Sequence, residues 1–415
     1  MFAEIITIGD EILIGQVVDT NSAWMGQQLN DAGIFVKQIS SVSDERVHIL
    51  KAIDEAKERA DIVLITGGLG PTRDDITKHT LCDYFGVKLV FNPEIYKDVE
   101  RLFARFGKTV TPVNRMQAEV PENCTPLHNQ NGTAPGMWFE KEGKIFVSMP
   151  GVPHEMKGIM AYEVLPRLKS KFKLPFIVHR TLLTQGIGES ALAETISAWE
   201  DSLAEKKIKL AYLPASGMVR LRMTTSGENK SLLEKNIREK EEELLRIIPE
   251  HIYGSGEEKL EEILGKLLLD RNEKLGLAES CTGGYISHLI TSVPGCSAYY
   301  EGSVVTYSYG QKERLLGVRK ETLEMHGAVS REVVEEMAKG VLEKLIVDHS
   351  IAVSGIAGPT GGTPDKPVGT VWIAVSSGGR IVSKKFQFGS NRARNIQASA
   401  DEAMNMLRKM LLSTD

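Results

Sequence analysis

Thr66-Gly67-Gly68-Leu69-Gly70-Pro71-Thr72-Arg73-Asp74-Asp75-Ile76-Thr77 decides how the first part of this chain is read. It follows the apolar run Asp61 to Ile65, which reads as a buried parallel strand. It leads into Asp74 to Phe85, which reads as a helix. Gly67, Gly68 and Gly70 let the backbone turn sharply and come close to a ligand, and Pro71 stiffens the exit. A strand, a glycine loop and a helix N-terminus together suit a phosphate. The carboxylates of Asp74 and Asp75 suit a divalent metal that shares it. Arg73 offers a bidentate partner for the same group.

The stretch closes a run of alternating elements. Glu4 to Ile8, Phe35 to Ser41 and Ile62 to Thr66 read as strands, and Thr20 to Ala32 and Glu45 to Ala60 as helices. Ile145 to Ser148 is a later strand before MPGVPHEM (149–156). This βαβ rhythm predicts a parallel sheet with helices on both faces. Ligands of such sheets sit beyond the carboxyl ends of the strands. Asp10 and Glu11 fall there and are expected to face Asp74 and Asp75. Acidic residues also favour helix starts for the dipole alone, and a solvated Arg73 is equally ordinary. The residues by themselves leave both readings open. Thr20-Asn21-Ser22 reads as an N-cap with Asn21 near the ligand. Asn131 to Gly136 and Pro150-Gly151-Val152-Pro153 read as turns, with Gly151 at the same crevice.

At 415 residues the chain is expected to form two or three domains. Its 42% apolar and 25% charged content is that of a soluble globular protein. A net charge of -5 gives no global attraction to nucleic acid or to an anionic membrane. No basic n-region precedes the first strand and no apolar run reaches a membrane span of roughly 18 residues, so a cytoplasmic protein is expected. Cys82, Cys124, Cys281 and Cys296 form no CxxC pair, which argues against a disulfide framework or a zinc site.

Three domains are expected, at 1–170, 171–254 and 255–415. The middle one reads as a small α+β unit with balanced charge. Its Gly186-Ile187-Gly188-Glu189 resembles the glycine loop of KH nucleic-acid domains without being GxxG. Without a basic footprint, packing between domains or dimerisation is the expected role. In the third domain Lys274 to Ala278 reads as a strand ending in ESCTGG (279–284), and Tyr285 to Thr291 as a helix. Ser280 then stands at a strand end with its hydroxyl exposed, and the loop through Thr282, Gly283 and Gly284 aims backbone N–H groups at the space above it. Lys312, in TYSYGQKE (306–313), is a candidate base if burial lowers its pKa, with Tyr307 to relay or orient the proton. Cys281 is the rival nucleophile. Helix caps and a surface lysine are the plain alternative. The loop GIAGPTGGTPDKPVG (355–369), with Gly355 and Gly358, is too long and glycine-rich for a connector. Arg392 is a candidate phosphate ligand.

GDEIL (9–13), GGLGPTRDDIT (67–77), PGVPHEM (150–156), AESCTGG (278–284), TYS (306–308), GAVS (327–330), SGIAGPTGG (354–362) and PVGTVW (367–372), in that order, resemble the CinA family of bacterial competence/damage-inducible proteins. The resemblance covers essentially the whole chain. It implies a fold of three parts: an N-terminal molybdopterin-binding-like three-layer α/β/α domain, a KH-type middle and a C-terminal α/β CinA domain. It also implies two activities. The C-terminal domain would hydrolyse the carboxamide of nicotinamide mononucleotide without a cofactor, the family's serine, tyrosine and lysine falling on Ser280, Tyr307 and Lys312. Thr282, Gly283, Gly284, Gly355, Gly358 and Arg392 would bind that substrate. The N-terminal domain would hydrolyse ADP-ribose with a divalent metal such as Mg²⁺, held by Asp10, Asp74 and Asp75. There Asp74 and Asp75 would be catalytic, and Gly67, Gly68, Gly70, Arg73, Asn21 and Gly151 would bind substrate. Many family members carry GDR and further arginines near the last helix. Here SNRARNIQ (390–397) has Asn391 for the aspartate and Ile396-Gln397 where arginines often stand. The expected assembly is a homodimer. A nucleic-acid-binding competence module and a molybdopterin-binding protein are the alternatives from other classes.

Overall fold

Ile62 to Thr66 is buried at all five positions, as expected of a central strand covered on both faces. The structure, a computed structural model, describes residues 1–72, 75–215 and 217–413, with the backbone alone at Ala215. It divides into two compact units, Met1–Val178 with Thr225–Glu234, and His179–Thr224 with the chain from Lys235 onward.

In the first unit β1 (Phe2–Ile8), β2 (Phe35–Val42) and β3 (Ile62–Thr66) are parallel. The short β4 (Leu89–Phe91) and β5 (Glu119–Pro121) form a separate ribbon. The main sheet is completed by β6 (Thr125–Leu127), β7 (Gly136–Lys141) and β8 (Lys144–Met149), in the order β2-β1-β3-β8-β7-β6. β8 is parallel to β3, whereas β7 is antiparallel to β8 and to β6. The sheet is therefore mixed, where the βαβ rhythm predicted a parallel one. The reversal is a tight hairpin whose Glu142 and Gly143 both have positive φ, 54° and 76°, as a primed turn requires. Helices cover both faces. Met25 and Leu29 pack with Met156 and Ile159 on one side, and Ile49, Ile53 and Leu81 on the other. This is a three-layer α/β/α domain, and each fully buried side chain of this size contributes about 1.5–3 kcal/mol.

β9 (Phe176–Gln185), β10 (Lys209–Ala215), β11 (Met218–Gly227) and β12 (Ile252–Ser255) form the KH-like sheet, in the order β10-β11-β9-β12. Leu183 and Tyr253 from it lie in the same apolar cluster as Leu260 and Leu264. The last sheet holds β13 (Leu275–Glu279), β14 (Tyr300–Val305), β15 (His349–Gly355), β16 (Thr370–Ser377) and β17 (Arg380–Gln387), in the order β14-β13-β15-β16-β17. β13 is an interior strand, parallel to both neighbours. The residue after it, Ser280, thus emerges between two other strand ends. Among the described residues no helix is long and apolar enough to cross a membrane.

Gly340 lies inside helix Arg331–Leu345, where Ala ordinarily gains about 1 kcal/mol over Gly. Here a Cβ would collide with the backbone carbonyl of Leu316. Gly340→Ala is therefore expected to destabilise the chain in urea unfolding. A gain of about 1 kcal/mol would show that the two segments are not in contact.

Candidate functional sites

The first site grows from the register of β1, β3 and β8. Thr7 is opposite Thr66, and Thr66 opposite Met149, so the loops that follow share one edge. Gly67 has φ 114° and Gly68 φ 65°, conformations suited to glycine. A Cβ on Gly67 would collide with the Ile8 carbonyl, and one on Gly68 with the Thr77 hydroxyl. A cavity of about 350 Å³ opens there. Its lining includes Gly67, Gly68, Gly70 and Gly151 with the carboxylates of Glu11, Asp44, Asp75 and Glu155.

Several expectations need correction. The helix expected from Asp74 begins at Thr77. Asp75 lies before it and turns its carboxylate onto its own loop, accepting from the Thr72 N–H at 2.9 Å and from the Thr72 hydroxyl. The N-cap of the helix at Thr20 is Asp19, which accepts from Ser22 N–H at 2.9 Å. Asn21 instead donates to the Gly151 carbonyl at 2.7 Å, joining two expected ligand contacts to each other. Asp10 is exposed and is not part of the cavity lining. Its N–H donates to Asp44 at 3.0 Å. Arg73 and Asp74 lie outside the described residues. Among the described residues no three His, Cys, Asp or Glu side chains gather as a metal sphere, although the charged groups in the lining, all carboxylates, are hard-cation chemistry. Asp44 and Glu155 were not anticipated. Asp44 follows the end of β2 and was open to the same strand-end rule that picked out Asp10. Glu155 accepts from Asn129 at 2.6 Å, a partner no local pattern reveals.

The second site is built on β13. Ser280 follows it, 7% exposed, and Lys312 reaches it from helix Tyr309–Leu316. The Lys312 Nζ lies 2.9 Å from Ser280 Oγ and donates to the Thr306 carbonyl at 2.6 Å. Lys312 is 1% exposed. Burial pushes its pKa down to about 8, against a smaller opposing effect of Cys281. The Cys281 thiol is buried too, and desolvation raises it to about 12. A thiol held there is a poor nucleophile. Thr282 Oγ1 and Thr306 Oγ1 are buried and have no hydrogen-bond partner among the described residues.

Tyr307 is 64% exposed. Its hydroxyl accepts from Arg392 at 3.3 Å, and among the described residues it has no hydrogen bond to Ser280 or Lys312. Arg392 also donates to the Gly358 carbonyl at 2.9 Å. Asn395 holds the same loop at Ala357, at 2.9 Å. Tyr307, Gly358 and Arg392 thus form one group, joined to Ser280 and Lys312 through the adjacent Thr306. Gly355 packs against Val371 instead. Of the expected loop donors, Gly283 N–H goes to the Ser280 carbonyl at 3.1 Å and Gly284 N–H to Glu279 at 3.0 Å. Among the described residues the Thr282 N–H has no acceptor, and the Cys281 N–H meets only the sulfur of its own side chain.

Comparison with known proteins covers the whole chain. A CinA-like protein of Cytophaga hutchinsonii is 46% identical over 411 residues, covering 99% of this chain and 98% of its own. The chain belongs to the CinA family. A CinA-like protein of Flavobacterium psychrophilum is 46% identical over 414 residues, with 99% of each chain covered. Family models match in three places: “CinA C-terminal domain” over 257–411, “Damage-inducible protein CinA KH domain” over 179–254, and “Probable molybdopterin binding domain” over 4–170. The competence/damage inducible protein CihA of Agrobacterium tumefaciens is a solved structure 34% identical to this one. It covers 37% of this chain and 96% of its own, with a TM-score of 0.35.

Two measurements check these sites. Gly67→Ala is expected to destabilise the N-terminal unit by about 1–3 kcal/mol through backbone strain, read by thermal or urea unfolding; unchanged stability would place the loop elsewhere. For Lys312, between pH 8 and 10.5 the unfolded chain still holds a proton that the folded one has lost. Stability of the natural chain relative to Lys312→Met is therefore expected to rise with pH across that window by about 3 kcal/mol. A constant difference would mean that the amine is solvated.

Proposed function

We propose that the Ser280 site of this CinA family member hydrolyses the carboxamide of nicotinamide mononucleotide to nicotinate mononucleotide and ammonia. The observation that carries this reading is the buried Lys312 amine 2.9 Å from the Ser280 hydroxyl. A serine needs a base, and with a pKa of about 8 this lysine is neutral in about one molecule in ten at pH 7. Neutral Lys312 takes the Ser280 proton as Oγ bonds to the carboxamide carbon. The negative charge formed on the carboxamide oxygen faces the N–H groups of Cys281 and Thr282. The C–N bond then breaks, and the Lys312 proton leaves with ammonia. Water attacks the resulting ester and gives its proton to Lys312. The Oγ–carbon bond breaks, and Ser280 recovers the proton. Arg392, bonded to Tyr307 and the Gly358 carbonyl, is positioned to take the phosphate. Tyr307, whose hydroxyl accepts from Arg392, orients the arginine.

The glycine-lined, carboxylate-rich cavity favours a second reading for the first domain, hydrolysis of ADP-ribose to AMP and ribose 5-phosphate. A bound Mg²⁺ would shield the diphosphate and activate water. Gly67, Gly68 and Gly70 let the backbone approach the phosphates, and Asn21 holds the Gly151 loop at the rim. A pterin-phosphate binder is the competing reading, supported by the match over 4–170. Molybdopterin binding without ADP-ribose hydrolysis would favour it.

The test incubates the full chain with each nucleotide and measures ammonia and AMP. Ser280→Ala is expected to lose ammonia release by a factor of about 10³ or more, and Cys281→Ala to keep most of it. EDTA is expected to stop AMP formation and spare ammonia. Ammonia release that survives Ser280→Ala and fails in Cys281→Ala would contradict the assignment.

A further inference from the structure

Glu279 ends β13 one residue before Ser280 and is wholly buried. A buried carboxylate requires donors, and this one has four. One oxygen, Oε2, accepts from the backbone N–H of Gly284 at 3.0 Å and of Ile286 at 3.1 Å. The other, Oε1, accepts from the Ser287 N–H at 3.0 Å and the Ser303 hydroxyl at 3.3 Å. Three of these are N–H groups at the start of helix Tyr285–Thr291, the donors that a helix leaves unpaired. The fourth comes from β14. Both ends of the turn after Ser280 are thereby tied to one side chain, Glu279 at its start and the helix at its finish. The tie also selects donors. With Gly284 N–H on Glu279, Gly283 N–H on the Ser280 carbonyl and Tyr285 N–H on the Thr282 carbonyl, only the Cys281 and Thr282 N–H groups of the turn have no acceptor outside their own residue among the described residues.

Resting on Ser280 as the nucleophile of the proposed reaction, we infer that Glu279 is a positioning residue for the oxyanion: its four hydrogen bonds hold the turn so that the Cys281 and Thr282 N–H groups meet the charge that forms when Ser280 attacks. It touches no substrate and acts through the turn. Glu279→Gln tests this closely, because a glutamine must turn an NH₂ group toward two donors that its oxygen can no longer serve. Ser303→Ala is the milder variant, removing one of the four bonds from outside the turn.

The test uses the full chain and an alkyl fluorophosphonate. Ser280 Oγ bonds to phosphorus, fluoride leaves, and the Oγ proton passes to Lys312 and then to solvent. The phosphonyl oxygen takes the oxyanion's place, so the rate reports the donors without depending on the natural substrate. Glu279→Gln is expected to slow labelling of Ser280 about 10- to 100-fold while keeping the pH midpoint that Lys312 sets. Ser303→Ala is expected to slow it by about threefold and serves alone if the first variant does not fold. With nicotinamide mononucleotide, kcat is expected to fall and KM to hold. Wild-type labelling rates in the variants, a shifted pH midpoint, or failure of Ser280 to label in the natural chain would overturn the inference. A natural chain that labels at Ser280 yet releases no ammonia from the mononucleotide would overturn the substrate reading instead, and the labelling rates would still decide the role of Glu279.

Discussion

Burying one amine is the constraint on which the C-terminal site depends. An ammonium taken out of water loses hydration that neighbouring dipoles only partly replace. At Lys312 those dipoles are the Thr306 carbonyl and the Ser280 hydroxyl. The result is an amine held near the pH at which it changes charge, aimed at a hydroxyl. The same burial acts in the opposite sense on Cys281, whose thiol is pushed up to about 12. One apolar environment thus prepares the lysine–serine pair and quiets the rival next to it. The doubly flanked position of β13 makes this possible, because Ser280 leaves the sheet where strands on either side exclude water.

The two glycine loops of the chain do different chemical work from a similar place. Both follow a buried parallel strand at the carboxyl edge of a sheet. Around Gly67 the charged groups are carboxylates, Glu11, Asp44, Asp75 and Glu155, which repel a bare phosphate. Around Ser280 the groups are an amine, hydroxyls and the N–H groups of Cys281 and Thr282, which among the described residues have no acceptor outside their own residue and suit a developing oxyanion. Glycine at these positions answers a local need, since Gly67 and Gly68 in one loop and Gly283 and Gly284 in the other all have positive φ.

Local pattern carried much of this. Strand Ile62–Thr66 and helix Tyr285–Thr291 lie where hydrophobic runs and glycine breaks put them. What escaped was decided by partners far along the chain. Asp75 closes onto Thr72, which delays the helix to Thr77. β7 turns antiparallel through a hairpin at Glu142-Gly143 that the alternating rhythm did not announce. The bond from Arg392 to the Tyr307 hydroxyl spans 85 residues, and no local pattern reveals it. Glu279 looks like a charge closing an apolar strand until the donors of residues 284–287 and 303 are brought to it.

The account stands on Lys312 acting as a neutral base toward Ser280. Its most direct test is the rate of ammonia release from nicotinamide mononucleotide by the full chain, followed from pH 6 to pH 10 at limiting substrate. A lysine with a pKa of about 8 predicts a rate that rises about tenfold per unit at low pH and levels off above a midpoint near 8. A rate independent of pH, or one that falls as the lysine loses its proton, would contradict it.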